Sequence, residues 1–242
     1  MYDFYNRKLS DSDLKRARKA LKRLYEDIPE TDGCMVNIEK EGGCGAWCCQ
    51  HQSPSLFYSE FLYAWLHVEK WEKQKLVDLM LRCVENYLDR NPTKGCVFWD
   101  RETKMCGIHK NRPFNCRTYG QIPEEDFKPR YERLKVLYAD DPFAVVKDQC
   151  HLVTSPKPPS KSQMDEWFKE LQFIEKDIKI DQKLMNDGDG GSYRQFHDHI
   201  ILQTCSPAVI DKLVSLRTRG TDRQRSTFLV DFRKDLEQGL GL

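Results

Sequence analysis

Eight cysteines, Cys34, Cys44, Cys48, Cys49, Cys96, Cys106, Cys116 and Cys150, form one block of the chain, and two of them are adjacent. The remaining two, Cys83 and Cys205, stand apart from it. The opening residues Met1–Tyr5 lack a basic region followed by an apolar run, so no secretion signal is expected there. Without an oxidising compartment, thiols gathered in this way point to metal ligation rather than to disulfides. The rest of the chain must fold around that centre.

The hydrophobic share of 39% and charged share of 32% fit a strongly solvated chain of one domain, or a domain with an appendage. A net charge of +1 supplies no global field toward nucleic acid or an anionic membrane, so neither is expected as a partner. No apolar stretch approaches membrane-spanning length. A cytoplasmic location is expected.

Helical periodicity recurs along most of the chain. Leu14, Ala17, Leu21, Leu24 and Ile28 predict a first amphipathic helix, with Ser10 or Ser12 as its cap. From Ser55 to about Asn91 the pattern predicts two helices. One stripe is Phe57, Phe61, Ala64, Val68 and Trp71; the other is Leu76, Met80, Cys83, Val84 and Tyr87. These aromatic residues and Cys83 read as core. Tyr131, Leu134 and Tyr138 suggest a further helix. Pro156–Ser160 is a stiff linker. After it come a helix capped at Ser162, a break at Asp187–Gly191, a helix from Ser206-Pro207 to Gly220, and a last helix over about Asp222–Gln238. The expected fold is mainly α, with a loop-rich cysteine–metal core, one or two short β-hairpins and a helical C-terminal extension. A cysteine-cluster domain with its flanking helices takes residues 1–155, and the extension takes 156–242.

The units Gly33-Cys34 to Cys44-Gly45 and Gly95-Cys96 to Cys106-Gly107 share the form Gly-Cys, nine residues, Cys-Gly. A hairpin about each polar centre would set its end cysteines face to face. In an extended segment Cys48 and Cys49 would point to opposite sides and serve different centres. Thiolate is a soft ligand that selects zinc, copper(I) or iron–sulfur clusters. Arg112 and Arg117 are close enough in sequence to offset the excess negative charge of such a centre. His109 and His151 are candidate nitrogen ligands.

The segments Cys44-Gly45-Ala46-Trp47-Cys48-Cys49 and Cys106 through Arg112-Pro113-Phe114-Asn115-Cys116-Arg117 resemble the YkgJ-type cysteine-cluster family of zinc- or iron-chelating CxxCxxCC domains. The cluster is also similar to that of flagellin lysine methylases. The resemblance covers roughly residues 34–151. Two positions depart from the family pattern: Trp47 is an extra residue before the pair, and Glu41 stands where the first cysteine belongs. Cys34 is the candidate replacement. The resemblance implies metal binding and leaves the reaction open.

The ligand set expected is Cys48, Cys49, Cys96, Cys106, Cys116 and Cys150, then Cys44 and Cys34, with Arg112 and Arg117 as charge partners. The first reading is an iron–sulfur (4Fe-4S) protein, possessing one or more metal centres, used in redox chemistry or in cluster-dependent modification of a peptide or small molecule. The alternatives are a zinc-stabilised module, its metal purely structural, and S-adenosylmethionine-dependent methyl transfer. A protein or peptide partner would meet the C-terminal helices. Elsewhere the motifs are bland. His197 and His199 diverge if helical, the loop at Asp187–Gly191 has Ser192 where an EF-hand needs glycine and Asp198 where it usually has Glu, and Arg217, Arg219, Arg223 and Arg225 read as solvated surface. Cys205 reads as structural.

Overall fold

A computed structural model describes residues 11–30, 47–51, 53–89, 95–103, 105–121, 157–178 and 192–242, with a few positions between 128 and 136. Among these the chain is mainly helical, as expected: α1 (Asp11–Asp27), α2 (Trp47–His51), α3 (Tyr58–Val68), α4 (Lys73–Leu88), α5 (Phe114–Thr118), α6 (Lys161–Asp177), α7 (Phe196–Thr204), α8 (Pro207–Arg219) and α9 (Asp222–Leu240). A 3-10 turn spans His109–Asn111. Strands β1 (Ser55–Leu56) and β2 (Arg194–Gln195) pair antiparallel, Ser55 with Gln195 and Leu56 with Arg194. The expected helix near Tyr131–Tyr138 and the break at Asp187–Gly191 lie outside the described residues, as do Cys34, Cys44, Cys150 and His151.

The apolar stripes form the helices they predict. Leu21 and Leu24 of α1 are wholly buried against α6, through Trp167, Leu171 and Ile174. The helix α6 begins two residues earlier than expected. Ser160, not Ser162, is its cap, with Oγ accepting from Gln163 N at 3.3 Å. Pro158-Pro159 holds the backbone extended up to that residue, so the helix starts as soon as the prolines end.

Around α4 a larger core gathers α3, α7, α8 and α9, with Phe61, Leu79, Phe196, Ile200, Leu213 and Phe232 buried. Cys83 and Cys205 are buried in it, as core residues. Burial pushes the Cys83 thiol well up and the Cys205 thiol up to about 12, so neither is a reactive thiolate. Both cores draw side chains from either side of residue 155.

Several elements have no counterpart in the periodicity, the short helices α2 and α5, the helix α7 and the β1–β2 pair among them. The helix α7 buries Phe196, His197, His199, Ile200, Ile201, Gln203 and Thr204, nearly its whole circumference, so no amphipathic stripe marks it. The β1–β2 pair joins segments about 140 residues apart, which local sequence cannot announce. The two histidines do diverge on α7. His199 is stacked on Phe61 with ring centroids 5.2 Å apart, and its Nε2 meets Leu56 O at 3.0 Å.

The last helix is fixed by a reciprocal cap. Thr221 Oγ1 accepts from Gln224 N, while Gln224 Oε1 accepts from Thr221 N at 2.9 Å. Thr221→Ala is expected to cost about 1 kcal/mol in urea unfolding, without change in helix content.

Candidate metal centre

The short helix α2 carries Cys48 and Cys49. The expectation of divergent side chains assumed an extended segment; helical backbone instead turns neighbours by about 100°. Both thiols therefore face one place, with their Sγ atoms 3.9 Å apart. The pair is one feature of one site.

Cys96 is brought in by its backbone. Its N–H donates to Cys49 O at 2.6 Å, and Asn86 of α4 donates to Gly95 O at 3.0 Å. At Gly95 a Cβ would lie 2.2 Å from Cys49 O and 2.5 Å from Gln50 O, so only glycine allows this approach. Gly95→Ala is accordingly expected to push Cys96 away from Cys49. It should lower stability by about 1–3 kcal/mol and reduce metal content, read by unfolding and elemental analysis.

Cys106 arrives on a hairpin. Asp100 N donates to Met105 O and Gly107 N to Phe98 O, each at 2.9 Å. Asp100 Oδ1 accepts from the Glu102 and Thr103 amides, and these bonds, that of Thr103 first, hold its carboxyl below the usual range. The turn fixes the register so that Trp99, not Cys96, faces Cys106. The expected hairpin exists, but its end cysteines are not cross-strand partners. They meet because the chain reverses again, Trp99 N donating to Cys96 O at 3.1 Å. The matching hairpin over residues 33–45 lies outside the described residues.

The thiols of Cys106, Cys48 and Cys96 all share hydrogen bonds with that of Cys49. With burial added, these bonds raise the Cys49 thiol well above its ordinary pKa, the Cys106 bond contributing most. Cys116, on α5, is raised by burial first and then by Cys48, Cys96 and Cys106, while the Arg112 charge opposes the rise. The thiols of Cys48, Cys49, Cys96 and Cys106 thus meet, and Cys116 lies within electrostatic reach of Cys48, Cys96 and Cys106. As they stand, no group of three or more His, Cys, Asp or Glu among the described residues forms a finished ion cage. They are a thiol-bonded partial donor set, with Cys34, Cys44 and Cys150 outside the described residues.

The arginines divide. Arg112 is buried beside Cys116, and its Nη1 contacts His109 Nε2, which must accept because a guanidinium has only donors. That ring nitrogen is therefore engaged. Arg117 lies over the Tyr25 ring at 4.2 Å and donates to Arg112 O and Lys110 O, both at 2.9 Å. Its bonds bind the 3-10 turn to α5 more than they address the thiols.

One residue the sequence reading passed over anchors this arrangement. Glu60, buried in α3, accepts from Phe57 N at 3.0 Å, Phe114 N at 2.6 Å and Tyr25 OH at 2.8 Å. It ties the first helix, the start of α3 and the α5 segment that bears Cys116. The clue was a lone carboxylate inside the apolar run from Phe57 to Leu66.

Fold and site together define a helical protein built around a cysteine cluster. Residues 40–151 match the model of the CxxCxxCC family, described as a "Putative zinc- or iron-chelating domain". The resemblance read from the paired cysteines and Arg-Pro-Phe-Asn-Cys-Arg is thus found, and with it metal chelation as the domain's general chemistry. Cys34 lies outside the matched residues. No curated protein and no solved structure gives a significant match. Among the described residues no helix is long and apolar enough to cross a membrane.

Proposed function

We propose that the protein holds an iron–sulfur cluster, used in redox chemistry or in cluster-dependent modification of a peptide or small molecule. The observation that carries this reading is the gathering of soft donors, with Cys48, Cys96 and Cys106 hydrogen-bonded to the Cys49 thiol and Cys116 within reach of their charge. Cys34, Cys44 and Cys150 are the further candidates. Such a cluster, when bound, supplies electron transfer. The chain's own contribution is burial of Cys49 and Cys96, the Arg112 charge beside Cys116 and the backbone bond from Cys96 to Cys49, which holds two donors together.

Zinc is the second reading, favoured by a specific distance. Two thiolates on one tetrahedral zinc are about 3.8 Å apart for Zn–S of about 2.3 Å, and Cys48 and Cys49 Sγ stand 3.9 Å apart. Protein purified without oxygen decides between them. A cluster gives a brown solution absorbing near ~400 nm, with iron and acid-labile sulfide. Colourless protein with stoichiometric zinc overturns the cluster and leaves a structural centre.

A further inference from the structure

Between α4, α7, α8 and β2 lies a cleft of about 730 Å³, within the range of small-molecule sites. Its wall is continuous with the cysteine site. Asn86, which lines it, donates to the carbonyl preceding Cys96. Ser55, also lining it, has its carbonyl bonded at 2.7 Å by Asn115, the neighbour of Cys116.

Two lining residues carry buried polar atoms without a hydrogen-bond partner, Ser53 Oγ and His197 Nδ1. His197 is only 7% exposed, and burial favours its neutral form. Its Nε2 lies 3.5 Å from Asp198 Oδ1. The tautomer with the proton on that nitrogen leaves Nδ1 a bare acceptor, which calls for an N–H donor. Asp89, Asp198 and Asp211 line the same cleft and favour a positively charged one.

The opposite charge is present too. Arg217, its guanidinium 4.8 Å over the Tyr87 ring, and Arg194 also line the cleft and suit a carboxylate. Ile201, Ile210 and Val214 add apolar surface between the charged groups. We propose that this cleft binds a zwitterionic ligand of dipeptide size, its ammonium toward His197 and Asp198, its carboxylate toward Arg217, and its side chain on the apolar surface. The inference does not depend on which metal the thiols take.

Calorimetric titration of the full chain with leucyl-glycine tests it, alongside the N-acetylated dipeptide, the C-terminal amide and free leucine. The dipeptide is expected to bind, and blocking either end should weaken binding at least tenfold. Arg217→Gln should weaken the free dipeptide about tenfold and leave the amide unchanged. If that variant does not fold, the blocked peptides on the unaltered chain decide alone. Free leucine binding as tightly as the dipeptide supports the same chemistry with an amino acid as its source. No binding of dipeptide or leucine at millimolar concentration overturns the proposal, as does equal binding of the blocked forms. Metal and sulfide are measured on the same samples, so failure here leaves the metal reading untouched.

Discussion

Cys49→Ser is expected to strip the protein of most of its metal. The Cys49 thiol shares hydrogen bonds with three others, and its carbonyl accepts from Cys96 N at 2.6 Å, so the centre closes around it. Loss of an outer-shell partner typically weakens metal binding about 10–100-fold, and removal of a donor should exceed that. The apparent stability of the loaded protein should fall with it, because ligation free energy is also folding free energy. Elemental analysis and thermal unfolding of metal-loaded wild type and variant check both effects. Cys83→Ala is the control: it lies in the apolar core and should lower stability without altering metal content.

Glu60→Ala is expected to destabilise the fold by roughly 3 kcal/mol or more. Three donors, two amides and the Tyr25 hydroxyl, would lose their acceptor inside the protein, at about 1–3 kcal/mol each. Glu60→Gln probes the charge itself. Burial pushes the Glu60 carboxyl up to about 7, against the pull of its amide donors. An unfolded glutamate titrates near ~4.3. The folded chain therefore binds this proton more tightly, and the resulting stability is full below about 4 and lost as pH rises through 7. The span corresponds to roughly 4 kcal/mol. Urea unfolding across pH 4–8 should show wild type losing stability relative to Glu60→Gln over that window and no further change above it. A pH-independent difference would mean that the carboxylate stays charged throughout.

Much of this molecule was legible in its sequence wherever a single physical period governed it. Leu21 and Leu24, or Met80 and Val84, recur at helical spacing because each helix turns one face to a core. Pro207 after Ser206 and Gly220 after Arg219 bracket α8 for local reasons of backbone geometry. The helix α7 was not legible because it is buried nearly all round. The cysteines were recognisable as a set through their clustering, yet their mutual geometry was not. Whether Cys48 and Cys49 diverge depends on backbone conformation, and α2 is only five residues long. The register that opposes Cys106 to Trp99 is set by the Asp100 carboxylate capping the turn, a bond no spacing rule contains. Glu60 is informative only once Tyr25, Phe57 and Phe114 are known to meet it.

The shared core that joins Cys49 and Cys96 to Phe196, Leu213 and Phe232 imposes an order of events on synthesis. From Cys116 to Phe232 is 116 residues, roughly 6–23 s of translation at about 5–20 residues per second. During that interval the thiols have been made, but the helices that pack on α4 and the strand that pairs with Ser55–Leu56 have not. Until the last helix emerges, the nascent chain leaves Cys49 and Cys96 without the core that buries them in the finished protein.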